Sequence, residues 1–489
     1  MNGLIGIIWL GIEFFMEHLV FINCFLSVII IFFQQKEPKS VWAWLLILYA
    51  IPMVGFLFYI LFGTDLYRKR MFKTKEIKDR LQEIVKEQEL YLRSHRMAIT
   101  NPNLKEYEDL VYYNLESSNA IYTTDNEVRH IIEGREKFEL LIKDMQQAKK
   151  YIHMQYYIVK NDLVFQEIEK VLEKKVTEGV EVRILLDGMG SRTITKKYRN
   201  YLAEKGIEIA VFFKPLFGKL HLRLNYRNHR KIVVIDGHIG YIGGYNIGKE
   251  YISLDKKFGN WRDTHIRIEG TAVVELAIRF ILDWNYTKGV NLFETSKYLQ
   301  MEEETIGKSE LQIVSSGPDS SLKNIRNNYL RLIAKAKERI LIQTPYFIPD
   351  EEMMSALMIA IYSGVEVNIM IPCKPDHLFV YWATYSYIGE LIISGANCYS
   401  YEKGFLHAKG MVVDGKVYCY GTANMDIRSF RLNFEVNVVN YTKEDAKKME
   451  ETFYEDLKNC RKITKEEYKG RSIVRKFKEH TSRLFSPLL

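Results

Sequence analysis

Two short phrases carry the chemistry of this chain: NHRKIVVIDG at Asn228–Gly237 and LHAKGMVVDG at Leu406–Gly415. Each reads His, any residue, Lys, four residues, Asp, Gly. Alternate side chains of a strand share a face, so His229 projects with Lys231 and His407 with Lys409. A basic pair on an apolar strand is costly to bury unless an anion meets it. Asp236 and Asp414 each precede a glycine, and Asp-Gly between apolar runs signals a hairpin turn. Turn formation therefore competes with a direct chemical role for these two carboxylates. One His–Lys–Asn set offers a nucleophile or acid and two donors for phosphate oxygens. Two sets facing one substrate meet the needs of a two-step displacement at phosphorus. One neutral imidazole attacks and becomes phosphohistidine, while the opposite imidazolium protonates the departing alkoxide and later deprotonates the incoming alcohol. Lys231, Lys409, Asn246 and Asn424 would hold the non-bridging oxygens. Such chemistry needs no metal or cofactor, and neither metal-ligand spacing nor a G-x4-G-K-S/T loop is present in the sequence.

The duplication extends well beyond these phrases. One offset relates His229 to His407, Lys231 to Lys409, Asp236 to Asp414, Gly243 to Gly421 and Asn246 to Asn424. Upstream, AKKYIHMQYYIV (Ala148–Val159) matches AKERILIQTPYFI (Ala336–Ile348), with Gln155 answering Gln343. GVEVRILLDG (Gly179–Gly188) matches GVEVNIMIP (Gly364–Pro372). Strand, helix of about 15 residues, strand is the βαβ pattern of a helix-covered parallel or mixed sheet. The expected fold class is α/β: two tandem α/β/α domains related by a pseudo-twofold axis, sharing one bipartite site. The expected boundaries are a hairpin over 1–65, a charged helical connector over 66–125, a first domain over 126–305 and a second over 306–489.

The hairpin is read from hydropathy. Val41–Phe62 carries no charge and at ~1.5 Å per residue reaches roughly 33 Å, enough to cross a bilayer core. His18–Phe33 forms a second apolar stretch, with Glu13, Glu17 and His18 blurring its start. Two transmembrane helices are therefore expected. Arg68, Lys69, Arg70, Lys73 and Lys75 follow the second span, which places the remainder on the cytoplasmic side of the cell membrane. Five scattered cysteines without a C-x-x-C pair agree with a reducing compartment. The net charge of +8 suits an anionic partner, either a lipid surface or nucleic acid. At the other end, RSIVRKFKEHTSRLFSPLL places Ile473, Val474, Phe477, Leu484 and Phe485 at near-helical spacing among basic residues. Two readings stand for it: a basic amphipathic helix on an anionic bilayer, or a cover for one domain.

These motifs resemble the phospholipase D superfamily, marked by a doubled HKD motif, and within it the bacterial cardiolipin synthases. The resemblance runs through WAW, NYRNHRKIVVIDG, GGYNIG, WRDTHIRIEG, LHAKGMVVDG, GTANMD, FEVN and the terminal SPLL. It implies phospholipase D-like domains with catalytic residues at His229, Lys231, Asp236, His407, Lys409 and Asp414. It further implies that Asp263 and Glu435 orient the histidines, and by analogy it favours His229 as the nucleophile. The implied reaction moves a phosphatidyl group from one phosphatidylglycerol to another, giving cardiolipin and glycerol. Phosphatidylglycerol and anionic membrane lipid are the expected partners, with no nucleic acid. A membrane-anchored phospholipase D that passes the group to water, or a transferase to another alcohol, would use the same residues. A polynucleotide-cutting relative would need a groove, and a non-catalytic scaffold would have no need of all six motif residues.

Overall fold

Long apolar strands broken by Asp-Gly turns and separated by amphipathic stretches build a layered sheet in the computed structural model. It describes residues 17–31, 38–52, 55, 59, 102–213, 226–294, 298–299, 307–320 and 322–486. The chain divides into two units, one formed by Met1–Lys73 with Pro215–Asn225 and the other by Thr74–Lys214 with Tyr226–Leu489.

In the first unit, residues 17–31 and Pro38–Ala50 are helical. Asn23 donates to the Leu48 carbonyl at 3.1 Å and Ser27 to the Tyr49 hydroxyl at 3.2 Å. Ile30, Leu48 and Tyr59 form the shared apolar contact, whereas Phe21, Phe25, Trp42 and Leu46 face outward. Among the described residues, no helix is long and apolar enough to cross a membrane. The ends of both expected spans, and the start of the connector, lie outside the described residues.

The second unit is organised by a 16-stranded sheet. Its first half uses β1 (Thr123–Ile131), β2 (Tyr151–Tyr156), β3 (Glu181–Asp187), β4 (Glu208–Phe212), β5 (Arg227–Asn228), β6 (Ile232–Ile235), β7 (Ile239–Gly243) and, after the separate short β8 (Asn260–Arg262), β9 (His265–Glu269). Its second half uses β10 (Ser309–Ser316), β11 (Arg339–Gln343) and, after the separate β12 (Phe347–Ile348), β13 (Glu366–Pro372) and β14 (Asn397–Tyr401). The chain continues through β15 (Gly404–Leu406), β16 (Gly410–Val413), β17 (Val417–Gly421), β18 (Met425–Asp426), β19 (Asn433–Asn440) and β20 (Cys460–Ile463). Outward from the centre, one half runs β1-β9-β7-β6-β2-β3-β4 and the other β10-β19-β17-β16-β11-β13-β14, with β20 at the far edge. The two orders mirror one another, and the halves join where β1 pairs antiparallel with β10.

Helices cover both faces. Ile152 and Met154 pack with Phe138, Leu141 and Phe165 of helices Gly134–Gln147 and Leu163–Thr177. His153, between them on β2, stacks at 4.4 Å on Phe280 of helix Ala272–Lys288. Because strand side chains alternate, that helix lies on the opposite face. In the second half, Ile340 and Ile342 enter one core while Gln343 reaches Asp456 of helix Lys443–Leu457 on the other side. The expected connector is not a free linker where it is described. Its helix Pro102–Ser118 sends Leu104, Tyr107, Leu110 and Leu115 into the second-half core.

Candidate active site

The histidines emerge just before the sheet's inner hairpins. β5 leads to His229 and pairs in parallel with the start of β19, across the boundary between halves. β15 leads to His407 and pairs in parallel with β8 of the first half. Backbone bonds fix both crossings: His229 N–H donates to the Phe434 carbonyl at 2.9 Å, and His407 N–H to the Arg262 carbonyl at 2.7 Å. Each strand segment therefore delivers its histidine to a carboxylate of the other copy. His229 Nδ1 lies 3.0 Å from Glu435, and His407 Nδ1 lies 2.6 Å from Asp263. Each motif histidine thus takes its carboxylate from the other half.

Burial sets the electrostatics. Lys231 and Lys409 are buried completely or nearly so, while the two imidazoles keep 12% and 10% of their side chains open. The ring edges are thus what a substrate meets first. Desolvation pushes Lys231 down to about 7 and Lys409 to about 8. Burial, helped by Lys409, pushes His407 down to about 4; burial also lowers His229, against the opposing pull of Glu435. The charge of Lys409 is felt at His229 and that of Lys231 at His407, so the two sets share one electrostatic environment. Burial alone would raise Asp263 and Glu435. The facing lysine and histidine outweigh it and hold each carboxyl below its ordinary value. An anion entering between the lysines would favour their ammonium forms.

The two sets differ in detail. Lys231 donates to its own His229 carbonyl at 2.7 Å. Lys409 does the same to His407 and also approaches His407 Nδ1 at 2.7 Å. Glu435 accepts from the Thr422 hydroxyl at 2.6 Å and from Asn433 at 3.0 Å. At the matching position the first copy has Gly244, where a Cβ would stand 1.9 Å from Asp263. An aromatic ring flanks each imidazole, Tyr157 at 4.9 Å from His229 and Trp261 at 5.0 Å from His407.

Asp236 and Asp414 sit elsewhere. Both adopt left-handed turns, with φ of 54° and 53°. Asp236 accepts from the backbone N–H groups of Lys149, Lys150 and Tyr151 at 2.6–2.8 Å, and Asp414 from those of Lys337, Glu338 and Arg339 at 2.8–2.9 Å. The four residues of β6 and of β16 separate them from the lysines, five steps or about 16 Å at ~3.3 Å per residue. The structure gives them to the turn and the neighbouring strand, and does not bring them to the histidines.

Asn246 accepts from the Ile158 N–H and donates to the Tyr251 hydroxyl, both at 3.1 Å, so its amide is largely committed. Asn424 Oδ1 is buried without a hydrogen-bond partner, which leaves this amide more capacity for a ligand. Tyr157, Trp261 and Thr422 were not singled out from sequence; the QYY, WRD and GTAN runs that hold them were the available signal. Also missed was the anchoring of the crossings. Arg230 pairs with Asp283 at 2.5 Å, supported by Gln155, while Arg262 crosses between halves to Asp456 at 2.7–2.9 Å, supported by Gln343. Among the described residues, no group of three or more His, Cys, Asp or Glu could hold a metal ion.

Comparison with known proteins places this arrangement. The model described as "Cardiolipin synthase, PLD-like domain" matches residues 141–265 and 329–457, and "Phospholipase_D-nuclease N-terminal" matches 21–63. Major cardiolipin synthase ClsA of Bacillus subtilis (strain 168) is 47% identical over 469 residues, 96% of this chain and 97% of that protein. A cardiolipin synthase of Oceanobacillus iheyensis is 45% identical over 482 residues, 98% and 100% of the two chains. Among solved structures, a phosphatidylserine synthase from Haemophilus influenzae Rd KW20 covers 80% of this chain and 100% of its own at a TM-score of 0.58 and 15% identity, a likeness of fold.

Proposed function

This chain belongs to the phospholipase D-like cardiolipin synthases, and from that premise we propose that it exchanges the glycerol of one phosphatidylglycerol for the hydroxyl of a second, releasing glycerol and forming cardiolipin. The observation that carries this reading is the crossed pair of His–carboxylate contacts, which makes two imidazoles from two copies serve one reaction. Glu435 holds the proton of His229 on Nδ1 and leaves Nε2 as a bare lone pair, the form that attacks. Asp263 accepts the Nδ1 proton of His407 and favours a second proton on Nε2, giving the imidazolium that donates. The roles follow: His229 Nε2 bonds to phosphorus, the P–O bond to glycerol breaks, and His407 delivers its proton to the departing oxygen. The hydroxyl of the second phosphatidylglycerol then loses a proton to His407, attacks phosphorus, and breaks the N–P bond. Lys231 and Lys409 bind the non-bridging oxygens, with Asn424 beside them. Asp236 and Asp414 act at a distance, by fixing the hairpins that follow the lysines.

We further assign 1–65 to a two-helix transmembrane hairpin with the body on the cytoplasmic side, supported by the uncharged segments and the basic residues after them. The domain halves run from about 126 to 305 and from 306 to 489, the helix at 102–118 belonging with the second core. Exchange of one phosphodiester for another of the same kind needs no nucleotide. The test is rapid denaturation of full-length protein in mildly alkaline detergent, which spares the acid-labile N–P bond, after exposure to phosphatidylglycerol labelled at phosphorus. Label should be recovered on a peptide containing His229, and none should be trapped by His229→Ala. Label on His407 reverses the two roles, and no label on either histidine removes the covalent mechanism.

A further inference from the structure

The C-terminal helix, Ile473–Leu484, is docked the wrong way round for a helix that serves only to cover a core. Its buried side chains are polar, Glu479 and Ser482. Glu479 receives Arg471 at 2.7 Å and Arg475 at 2.9 Å, and Arg483 reaches Glu390 of helix Leu378–Ser394. Arg475 lies over Tyr385, Arg483 over Tyr387 and Lys478 over Trp382. Cations and two carboxylates, Glu479 and Glu390, thus hold the helix down. Its apolar residues point the other way: Ile473 is 83% exposed, Phe477 70% and Leu484 81%. Leu378 and Phe379, at the start of the helix beneath, are exposed too, and Phe379 meets Phe485 at 6.0 Å. A surface helix of a soluble domain normally turns its apolar stripe inward, and a contiguous exposed apolar patch marks an interaction site.

We propose that this face, Ile473, Val474, Phe477, Leu484 and Phe485 with Leu378 and Phe379, docks into an anionic bilayer. The charge pattern selects the occupant. The helix carries Arg475, Lys476, Lys478 and Arg483, and its one acid is buried and paired, so only positive charge flanks the apolar stripe. Apolar residues inserted at headgroup depth with cations at that level are how an interfacial helix binds anionic lipid. The position suits the purpose. Leu378 and Phe379 follow Lys374, Pro375 and Asp376, which line a cleft with Tyr346 and Tyr381, and the charge of Asp376 is felt at Lys409. Docking there would bring headgroups to the Lys409 side of the site.

This inference rests on the reading that the substrates are bilayer phospholipids. The test uses full-length protein in vesicles of phosphatidylcholine and phosphatidylglycerol whose acyl chains are brominated. The emission added by Phe477→Trp should be quenched by the bromine, and less so when phosphatidylglycerol is omitted. If the added emission is unaffected by bromine, the face meets water or a protein and the proposal is overturned. In parallel, Ile473→Asp with Phe477→Asp should lower transfer on vesicle phosphatidylglycerol at least ~10-fold, from two lost apolar insertions, and leave transfer on dispersed short-chain phosphatidylglycerol unchanged. Equal rates on vesicles, or an equal loss on both substrates, would overturn it. Bromine quenching of the Phe477→Trp emission, together with a wild-type protein that makes no cardiolipin, would instead remove the functional reading and leave the docking surface standing.

Discussion

Lys231 and Lys409 are charged most cheaply when an anion lies between them. Their depressed values of about 7 and 8 mean that the empty site sheds protons as pH rises through that range. A bound phosphodiester reverses the trend by favouring the ammonium form. The expected result is a kcat/KM, which reports the free protein, that falls above about pH 7–8, with the alkaline limb of kcat displaced upward. Coincident alkaline limbs would show that the lysines do not face the substrate. The sign for stability is the opposite of that for a paired lysine. A lysine lowered on folding destabilises the fold fully below its folded value, and the penalty fades as pH rises toward the unfolded value. Lys231→Met and Lys409→Met should therefore each lose about 100-fold or more in kcat, yet melt at or above the wild-type temperature at pH 7. Calorimetry beside a rate measurement checks both halves of that statement.

At the scale of elements, the strand crossings determine which carboxylate serves which histidine. Glu435 raises His229, so Glu435→Gln should move the acidic limb of kcat/KM to lower pH while cutting the rate, by analogy with a lost triad carboxylate, by up to ~10⁴. A simple loss of packing would lower activity without moving that limb. The hairpin carboxylates behave differently. Asp414→Ala leaves three backbone N–H groups without their acceptor, at a cost of about 1–3 kcal/mol or more. It should melt lower, and well below its melting point keep far more activity than His407→Ala. Much of this could be read from sequence because it is local. His-x-Lys runs directly into β6 and β16, the Asp-Gly turns close them, and the repeat placed β2, β3, β11 and β13. The structure nonetheless puts both His-x-Lys pairs in the links just before β6 and β16 rather than on a strand. The swap of carboxylates could not, since Glu435 lies 206 positions from His229 and Asp263 lies 144 from His407. Equivalent residues in two copies offer either partner, and only the paths of β5 and β15 decide. For the same reason Arg262–Asp456 was invisible: Ala408 stands where Arg230 does, and the vacancy is filled from the other half.

At the scale of the molecule, one continuous sheet and two reciprocal crossings bring the motifs of a duplicated chain into the single reaction centre proposed above. His229→Ala and His407→Ala should each abolish transfer, and the double change should add little, because groups that act as a unit are non-additive. Mixing the two inactive full-length proteins should restore nothing, since each centre lies within one chain; recovery on mixing would mean that copies exchange halves. The exchange of like phosphodiesters also makes the reaction reversible, whereas hydrolysis runs downhill in water. The most direct measurement is the mass of the lipids formed when purified protein meets defined phosphatidylglycerol, with and without concentrated glycerol. Cardiolipin and glycerol should appear in its absence, and excess glycerol should return cardiolipin to phosphatidylglycerol through the same two histidines. Cardiolipin that stays intact in glycerol while phosphatidic acid accumulates from phosphatidylglycerol would contradict the account and leave a membrane-anchored hydrolase.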